Sequence, residues 1–408
     1  MQVPVMRFIY RFVPLFIFFI FPFLLRAQTN SLDEVDVALH SSEGLRLMTK
    51  DSSSAINIRF RMQNRVDFES EASFDAGLID QNGFVKRMRL RSAGYVMSKR
   101  VTYSFQLGFS PGDMDISNSP YPQIIRDAMV FYRASDNFKI GFGQTKLPGN
   151  RQRVVSSGEQ QFVDRSLLNA TFNLDRDFGM QAYYKTNLGK AGLNLQGALS
   201  TGDGRNITDR GKGMAYTGRV EFLPMGKFKM GGDYFEGDWA YEETPKISLG
   251  STYSFNDNAT RVGGQIGRDL YQSSDITTVM ADALIKYRGW ASATEYVYRN
   301  AANPITRNDE NLIRNIYIGS GLNTQLSYQF RNHLEIAARY TNLEVNDKIG
   351  AIAEEVEEYT IGVNYYYRWH RVKIQSDITF QKREIPLNDI DEEDRNPVIL
   401  RFQVEFGI

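Results

Sequence analysis

Apolar and polar residues alternate one by one along most of this chain, in many short segments. The plainest runs from Glu358 to Trp369. There Tyr359, Ile361, Val363, Tyr365, Tyr367 and Trp369 fall on one face, and Glu358, Thr360, Gly362, Asn364, Tyr366 and Arg368 on the other. In the next segment Val372, Ile374, Ile378 and Phe380 oppose Lys373, Gln375, Asp377 and Gln381. The last sets Val398, Leu400, Phe402, Val404 and Phe406 against Arg401, Gln403 and Glu405. A period of two is the period of a β-strand. Segments of about 10 to 14 residues also match the length that a tilted strand needs to cross a bilayer. One face then suits lipid and the other water.

The connections carry a second pattern. Short ones near 135–137, 188–190, 224–226, 256–258, 288–289, 331–332 and 369–370 have hairpin chemistry, with Gly and Asn supplying positive φ. Between them lie long polar stretches at 69–82, 111–123, 147–176, 202–213, 300–315, 343–355 and 384–396. Short turns on one side and long loops on the other predict an all-β fold, a transmembrane antiparallel up-and-down β-barrel. The segments count to eighteen; 261–268 is the weakest, and losing a hairpin near 247–270 leaves sixteen. A soluble β-sandwich alternates too, but it would bury the polar face at high cost, and no linker divides the chain into the several domains it would need. Trp290 and Trp369 stand beside short turns, where an interfacial aromatic girdle is expected.

The longest connection, 147–176, lies between two well-marked strands. Phe138, Ile140 and Phe142 alternate before it, and Phe178, Met180 and Ala182 after it. It carries Arg151, Arg153, Arg165 and Arg176 against Glu159, Asp164 and Asp175, with no helical hydrophobic pattern. A connection of this length is usually functional or disordered, and the expectation is a loop folded into the barrel.

Composition narrows the setting. Arg7 and Arg11 precede an apolar run from Phe12 to Leu25, and Ala27 is a small residue before a cleavage point, so 1–27 reads as an export signal. Residues 28–54 are polar and irregular apart from Leu45 and Leu47, and read as a periplasmic extension; 55–408 is the barrel. The absence of cysteine excludes disulfides, thiolate catalysis, Cys-ligated zinc and a lipid anchor. A formal net charge of zero gives no reason to expect a nucleic-acid partner. His40, His333 and His370 fall in the extension and at two short turns, away from the lumen, so no nucleophile and base are expected to meet there. The reading is therefore not an enzyme and no cofactor. Acidic runs at 354–358 and 389–394 read as solvated loop charge and not as a metal site.

The faces decide what lines the lumen. Ile56, Ile58, Phe60, Met62 and Val66 point outward, so Arg59, Arg61 and Arg65 point inward; Phe84, Met88 and Leu90 point outward, so Arg87, Arg89 and Arg91 point inward. Six arginines on consecutive strands form one basic wall. Like charges at close range repel, so the wall needs compensation. Lumen acids such as Asp67, Asp127 or Glu295 supply it in one reading. Passing anions supply it in the other, since rows of Arg and Lys concentrate anions and the guanidinium fork fits phosphate and carboxylate oxygens. Lys146, Arg151, Arg153, Arg165 and Arg176 would join the same path from the loop.

Phe84 to Gly94 (FVKRMRLRSAG), Arg126 to Tyr132 (RDAMVFY), Phe142 to Pro148 (FGQTKLP), Gln161 to Asn169 (QFVDRSLLN) and Asp175 to Gln181 (DRDFGMQ), taken together in this order and spacing, resemble the phosphate-selective porin O and P family of Gram-negative outer membranes, with the similarity running over most of the mature chain. The resemblance implies a barrel of sixteen strands, a homotrimer, an inward-folded third loop and an arginine-lined path for phosphate-like anions. It also implies an outer-membrane setting in contact with lipid and lipopolysaccharide. The chain departs from the usual pattern by ending in Ile408 and not in an aromatic residue. A general diffusion porin and a structural barrel without transport are the alternatives. A gated importer would need a plug domain far larger than 28–54.

Overall fold

The computed structural model describes residues 35–40, 44–70, 78–114, 123–207, 211–384 and 396–408. The expected export signal at 1–27 and the acidic run at 389–394 lie outside them. A first hairpin, β1 (Val35–His40) and β2 (Gly44–Thr49), precedes the long strands β3 (Ala55–Ser70) and β4 (Leu78–Tyr95). Then come β5 (Val101–Gly108), β6 (Ile125–Arg133), β7 (Phe138–Lys146), β8 (Arg176–Leu188), β9 (Ala191–Ser200), β10 (Ala215–Leu223), β11 (Lys246–Arg261), β12 (Asp269–Tyr287) and β13 (Trp290–Ala301). A small separate hairpin, β14 (Ile305–Arg307) and β15 (Ile313–Asn315), sits in a long connection. The chain ends with β16 (Gly319–Gln329), β17 (Leu334–Val345), β18 (Glu355–Arg368), β19 (Val372–Glu384) and β20 (Val398–Gly407).

Consecutive strands pair antiparallel, and β20 returns to β3, from Val398 opposite Ser70 to Gly407 opposite Arg61. The main sheet has 18 strands. Two of them are the first hairpin, whose β2 lies along the start of β3; the other sixteen close the barrel. Residues 35–40 and 44–49 are thus extended, and the reading of 28–54 as irregular is corrected there.

Two features bring the count from eighteen to sixteen. The turn expected at 256–258 is absent: β11 runs through it, with register shifts between Asn256 and Ala259 and again before Arg261. Asn258 adopts the positive φ of 50° that suits a turn but serves a bulge instead. The turn at 224–226 does form, with Gly226 at φ 78° and its N–H on the Leu223 carbonyl at 3.0 Å, but no strand follows until Lys246. Residues 227–245 instead enter the lumen, where Phe228 covers the inward-facing Leu284 and Ala293. Gly231 and Gly237, both at positive φ, and Pro245 keep this stretch from joining the ladder.

Elsewhere the alternation holds. In β18, Tyr359, Ile361, Val363 and Tyr365 are exposed on the outer face while Glu358, Thr360, Asn364 and Tyr366 are buried. Glu358 therefore belongs to the lumen and not to solvated loop charge, and it accepts from Arg339 at 2.9 Å. Trp290 packs at a tilt against Tyr328, and Tyr328 meets Phe330 edge to face, on the outside, as a girdle requires. Trp369 does not: at φ 49° in its turn, it packs against Phe235, Trp239 and His370. His370 is buried beneath Phe235 and Tyr366 and lines a lumen cavity, so its expected place away from the lumen is corrected as well. Phe84 also changes face. Gln63 opposes Arg87 but Asn64 opposes Val85, so Lys86 is an extra residue that flips the alternation, and Phe84 meets the Arg65 guanidinium at 5.5 Å.

Candidate functional site

The connection 147–175 crosses the lumen and lies against the wall from β10 to β19. It carries a short helix, Leu167–Phe172, whose N-cap Ser166 accepts from the Asn169 N–H at 3.2 Å. Leu147, Leu168, Phe172 and Leu174 pack on Met280, Val297 and Leu343 of the wall, and Arg299 donates to the Thr171 and Asn173 carbonyls at the end of the helix. Buried backbone groups need partners, and here the wall supplies them. Arg219 donates to the Gly149 carbonyl, Lys373 to that of Gln160, Gln375 to that of Gln161 and Arg339 to that of Asp164. Glu295 accepts from the Gln152 N–H and Asp377 from that of Val163. Phe162 sits over Gly362, where a Cβ would come within 3.1 Å of its ring. From the short-turn side the second insertion braces the loop, Glu236 accepting from the Gln161 N–H at 2.9 Å and the Gln152 amide at 3.1 Å.

One sequence signal could have located this contact. β12 carries apolar residues on both faces, Val279 and Ile285 outward with Met280 and Leu284 inward beside Asp282. A strand apolar on both faces is covered on both, which in a barrel means something apolar inside. Truncating Phe172 to Ala should therefore undock the loop, at a cost of about 3–5 kcal/mol for a buried Phe. The barrel, closed by its own ladder, should keep its heat-modifiable migration. Protease cleavage within 147–176 of the detergent-solubilised protein, slow in the parent and fast in the variant, is the measurement.

The loop leaves water on the side of β3 to β8. Two cavities lie there. The larger, about 410 Å³, is lined by Arg89, Arg91, Arg126, Lys146, Arg153, Arg165 and Arg176 together with Asp127 and Glu159. The smaller, about 100 Å³, has Arg59, Arg61, Arg89, Arg91 and Arg371 with Glu159 and Glu405. Arg59 stands directly opposite Arg91, and Arg61 opposite Arg89, across β3 and β4. Arg126, Arg371 and Glu159 were not singled out from the sequence as lining residues.

Three of the expected lining residues do not line these cavities. Arg65 is bonded to Asp67 and Asp164. Arg87 donates to Gln63 at 2.8 Å and stands 4.0 Å from Asp164. Arg151 points the other way, into the wall, bonded to Asp282 and Ser248 at 2.8 and 2.9 Å and 3.5 Å from Glu221; it anchors the loop because the carboxylates able to pair with it lie on β10 and β12. Burial works against the charge on Asp164, but Lys86, Arg65 and Arg87 outweigh it and hold the group well below the usual carboxylate range. Asp113, likewise buried, is held down to about 2 by Arg89 and Arg126.

The remaining cations divide by partner. Arg89 pairs with Asp113, Arg176 with Asp127 at 3.0 Å, Arg153 with Asp175, and Arg61 lies 3.7 Å from Glu405. Among the described residues Arg59 and Arg91 have no carboxylate within 4.0 Å. Lys146 and Arg165 donate, among the described residues, only to backbone carbonyls, Lys146 to Val154 and Val155, Arg165 to Gln152 and Val155. The aqueous side of the lumen is therefore lined by more positive charge than it neutralises.

The structure is similar to solved barrels. The anion-selective porin from Comamonas acidovorans aligns with a TM-score of 0.53 at 13% identity, over 87% of this chain and 100% of that one. The trimer form of OmpT from Vibrio cholerae gives 0.51 at 10% identity over 87% and 100%. Salmonella typhi OmpF gives 0.50 at 12% over 87% and 98%. At such identities the likeness is one of fold. No curated protein sequence matches the chain. The profile of the phosphate-selective porin O and P family matches residues 56–406, from the first barrel strand to the last, and the chain belongs to that family of outer-membrane porins.

Proposed function

We propose that this porin passes small anions in preference to cations, phosphate-like ions among them. The observation that carries the reading is the set of cations with no carboxylate within 4.0 Å among the described residues, Arg59, Arg91, Lys146 and Arg165, all facing the two cavities. In a water-filled lumen bounded by low-dielectric walls, such charges raise the local concentration of anions. Arg61, Arg89, Arg153 and Arg176 extend the path with charge already shared with acids, while Arg65, Arg87 and Arg151 serve the loop's attachment. The name of the Comamonas porin points the same way. The short turns and both ends of the barrel are assigned to the periplasm, with 28–54 beside them after removal of the export signal, and the long loops to the lipopolysaccharide side. The trimer form of OmpT suggests a homotrimer here. Reversal potential under a potassium chloride gradient across a planar bilayer tests the reading, the expected sign being that of a chloride-preferring pore. A cation-preferring or unselective pore would leave a general diffusion porin.

A further inference from the structure

The two cavities on the aqueous side share five lining residues, Arg89, Arg91 and Gln106 from the wall and Ser156 and Glu159 from the loop. These mark where the cavities meet, so a solute passing from one to the other goes between them. Of these five, the two cations are on the barrel wall and the acid is on the loop.

Three carboxylates line the two cavities, and Glu159 differs from the other two. Asp127 is bonded to Arg176 at 3.0 Å and Thr145 at 2.9 Å. Glu405 accepts from Gln63 at 2.8 Å and lies 3.7 Å from both Arg61 and Lys373. Among the described residues the Glu159 carboxylate has no hydrogen bond and no cation within 4.0 Å. Its backbone is nevertheless fixed at both ends. The Glu159 N–H donates to the Ser156 carbonyl at 2.9 Å, and its own carbonyl accepts from the Glu236 N–H at 2.9 Å. Arg59 and Arg371 attract it from farther off, but a charge held in place by its backbone and making no direct contact is available to whatever passes.

We propose that Glu159 is a specificity-determining residue of this channel, setting a negative charge against Arg89 and Arg91 so that the path favours zwitterions with an amino group a few ångströms from a carboxylate over the phosphate dianion. A field across the path turns such a solute so that its carboxylate faces the arginines and its ammonium faces Glu159, and both ends are stabilised at once. A compact dianion gains on one side and is repelled on the other. The inference rests on the anion-path reading of the arginines and adds to it the class of solute.

The test compares the parent with Glu159→Gln and Glu159→Asp, each checked for heat-modifiable migration. The missing hydrogen bonds at the carboxylate predict that both variants fold. Liposome swelling would compare γ-aminobutyrate with an uncharged solute of the same size, and bilayer recordings would give the phosphate to chloride permeability ratio at pH 8. For a unit charge a few ångströms from the path the effect is about three- to tenfold. Glu159→Gln should lower the relative zwitterion rate and raise the phosphate ratio by such a factor, and Glu159→Asp should keep parent behaviour in direction. Unchanged ratios in Glu159→Gln, in a pore that still prefers chloride to potassium, would overturn the role of Glu159 alone. A parent pore that prefers potassium would overturn the anion-path reading beneath it.

Discussion

Replacing residues 155–165 with a short flexible linker is expected to raise single-channel conductance several-fold. This stretch separates the two cavities from the wall of β16 to β19 and carries Ser156 and Glu159 at their meeting point. Its removal takes away Phe162, whose ring sits 4.5 Å from Arg339, and frees Lys373, Gln375 and Asp377, which now bond the loop backbone. Those side chains face a lumen that would fill with water, so they exchange one set of partners for another. The barrel itself is closed by the ladder between β20 and β3 and does not depend on the loop. The Leu168 and Phe172 contact with Met280 and Val297 stays, which limits the change to the aqueous part. Parent conductance in the shortened protein would mean that ions take a route the loop does not border.

The second large effect is expected from charge. Changing Arg59 and Arg91 together to Gln should move the reversal potential toward cations, and more at low salt than at high, because the Debye length grows from about 8 Å at physiological salt to about 30 Å at 0.01 M. These two oppose one another across β3 and β4 and, among the described residues, have no carboxylate within 4.0 Å. Arg65→Gln is the contrasting variant. It removes one positive charge where the double variant removes two, and it leaves Asp67 and Asp164 without their main partner; breaking a largely buried pair costs about 3–5 kcal/mol. That variant should lose stability, read as a lower temperature for the heat-modifiable transition, and shift selectivity less. Equal shifts per charge removed in the two variants would mean that total lumen charge matters and its position does not.

Much of this molecule was legible in the chain, for a physical reason. A barrel strand in a bilayer has two solvents, lipid on one face and water or protein on the other, so each residue's side is written into its own segment. Tyr359, Ile361 and Val363 against Thr360 and Asn364 needed no knowledge of any other strand. Nor did Arg59, Arg61, Arg89 and Arg91, whose direction follows from Ile58, Phe60, Met88 and Leu90; on the outside each would cost about 2–4 kcal/mol near the midplane. The inward course of the long loop followed from its length between two clear strands. What alternation does not encode is the partner that an inward residue meets, because lumen contacts join residues far apart in the chain. Arg151 became an anchor because Asp282 lies across from it, and Arg65 an ion-pair member because Asp164 reaches it from the loop. Lys86 sits at a bulge whose extra residue only pairing with β3 reveals. Residues 227–245 left the sheet because Leu284 and Ala293 of distant strands offered Phe228 an apolar surface, and Trp369 turned from the lipid to meet Phe235 and Trp239 of that same insertion. The sequence by itself determined which residues face lipid and which face the lumen; only the tertiary structure decided which lumen charges are spent on each other and which are left facing water.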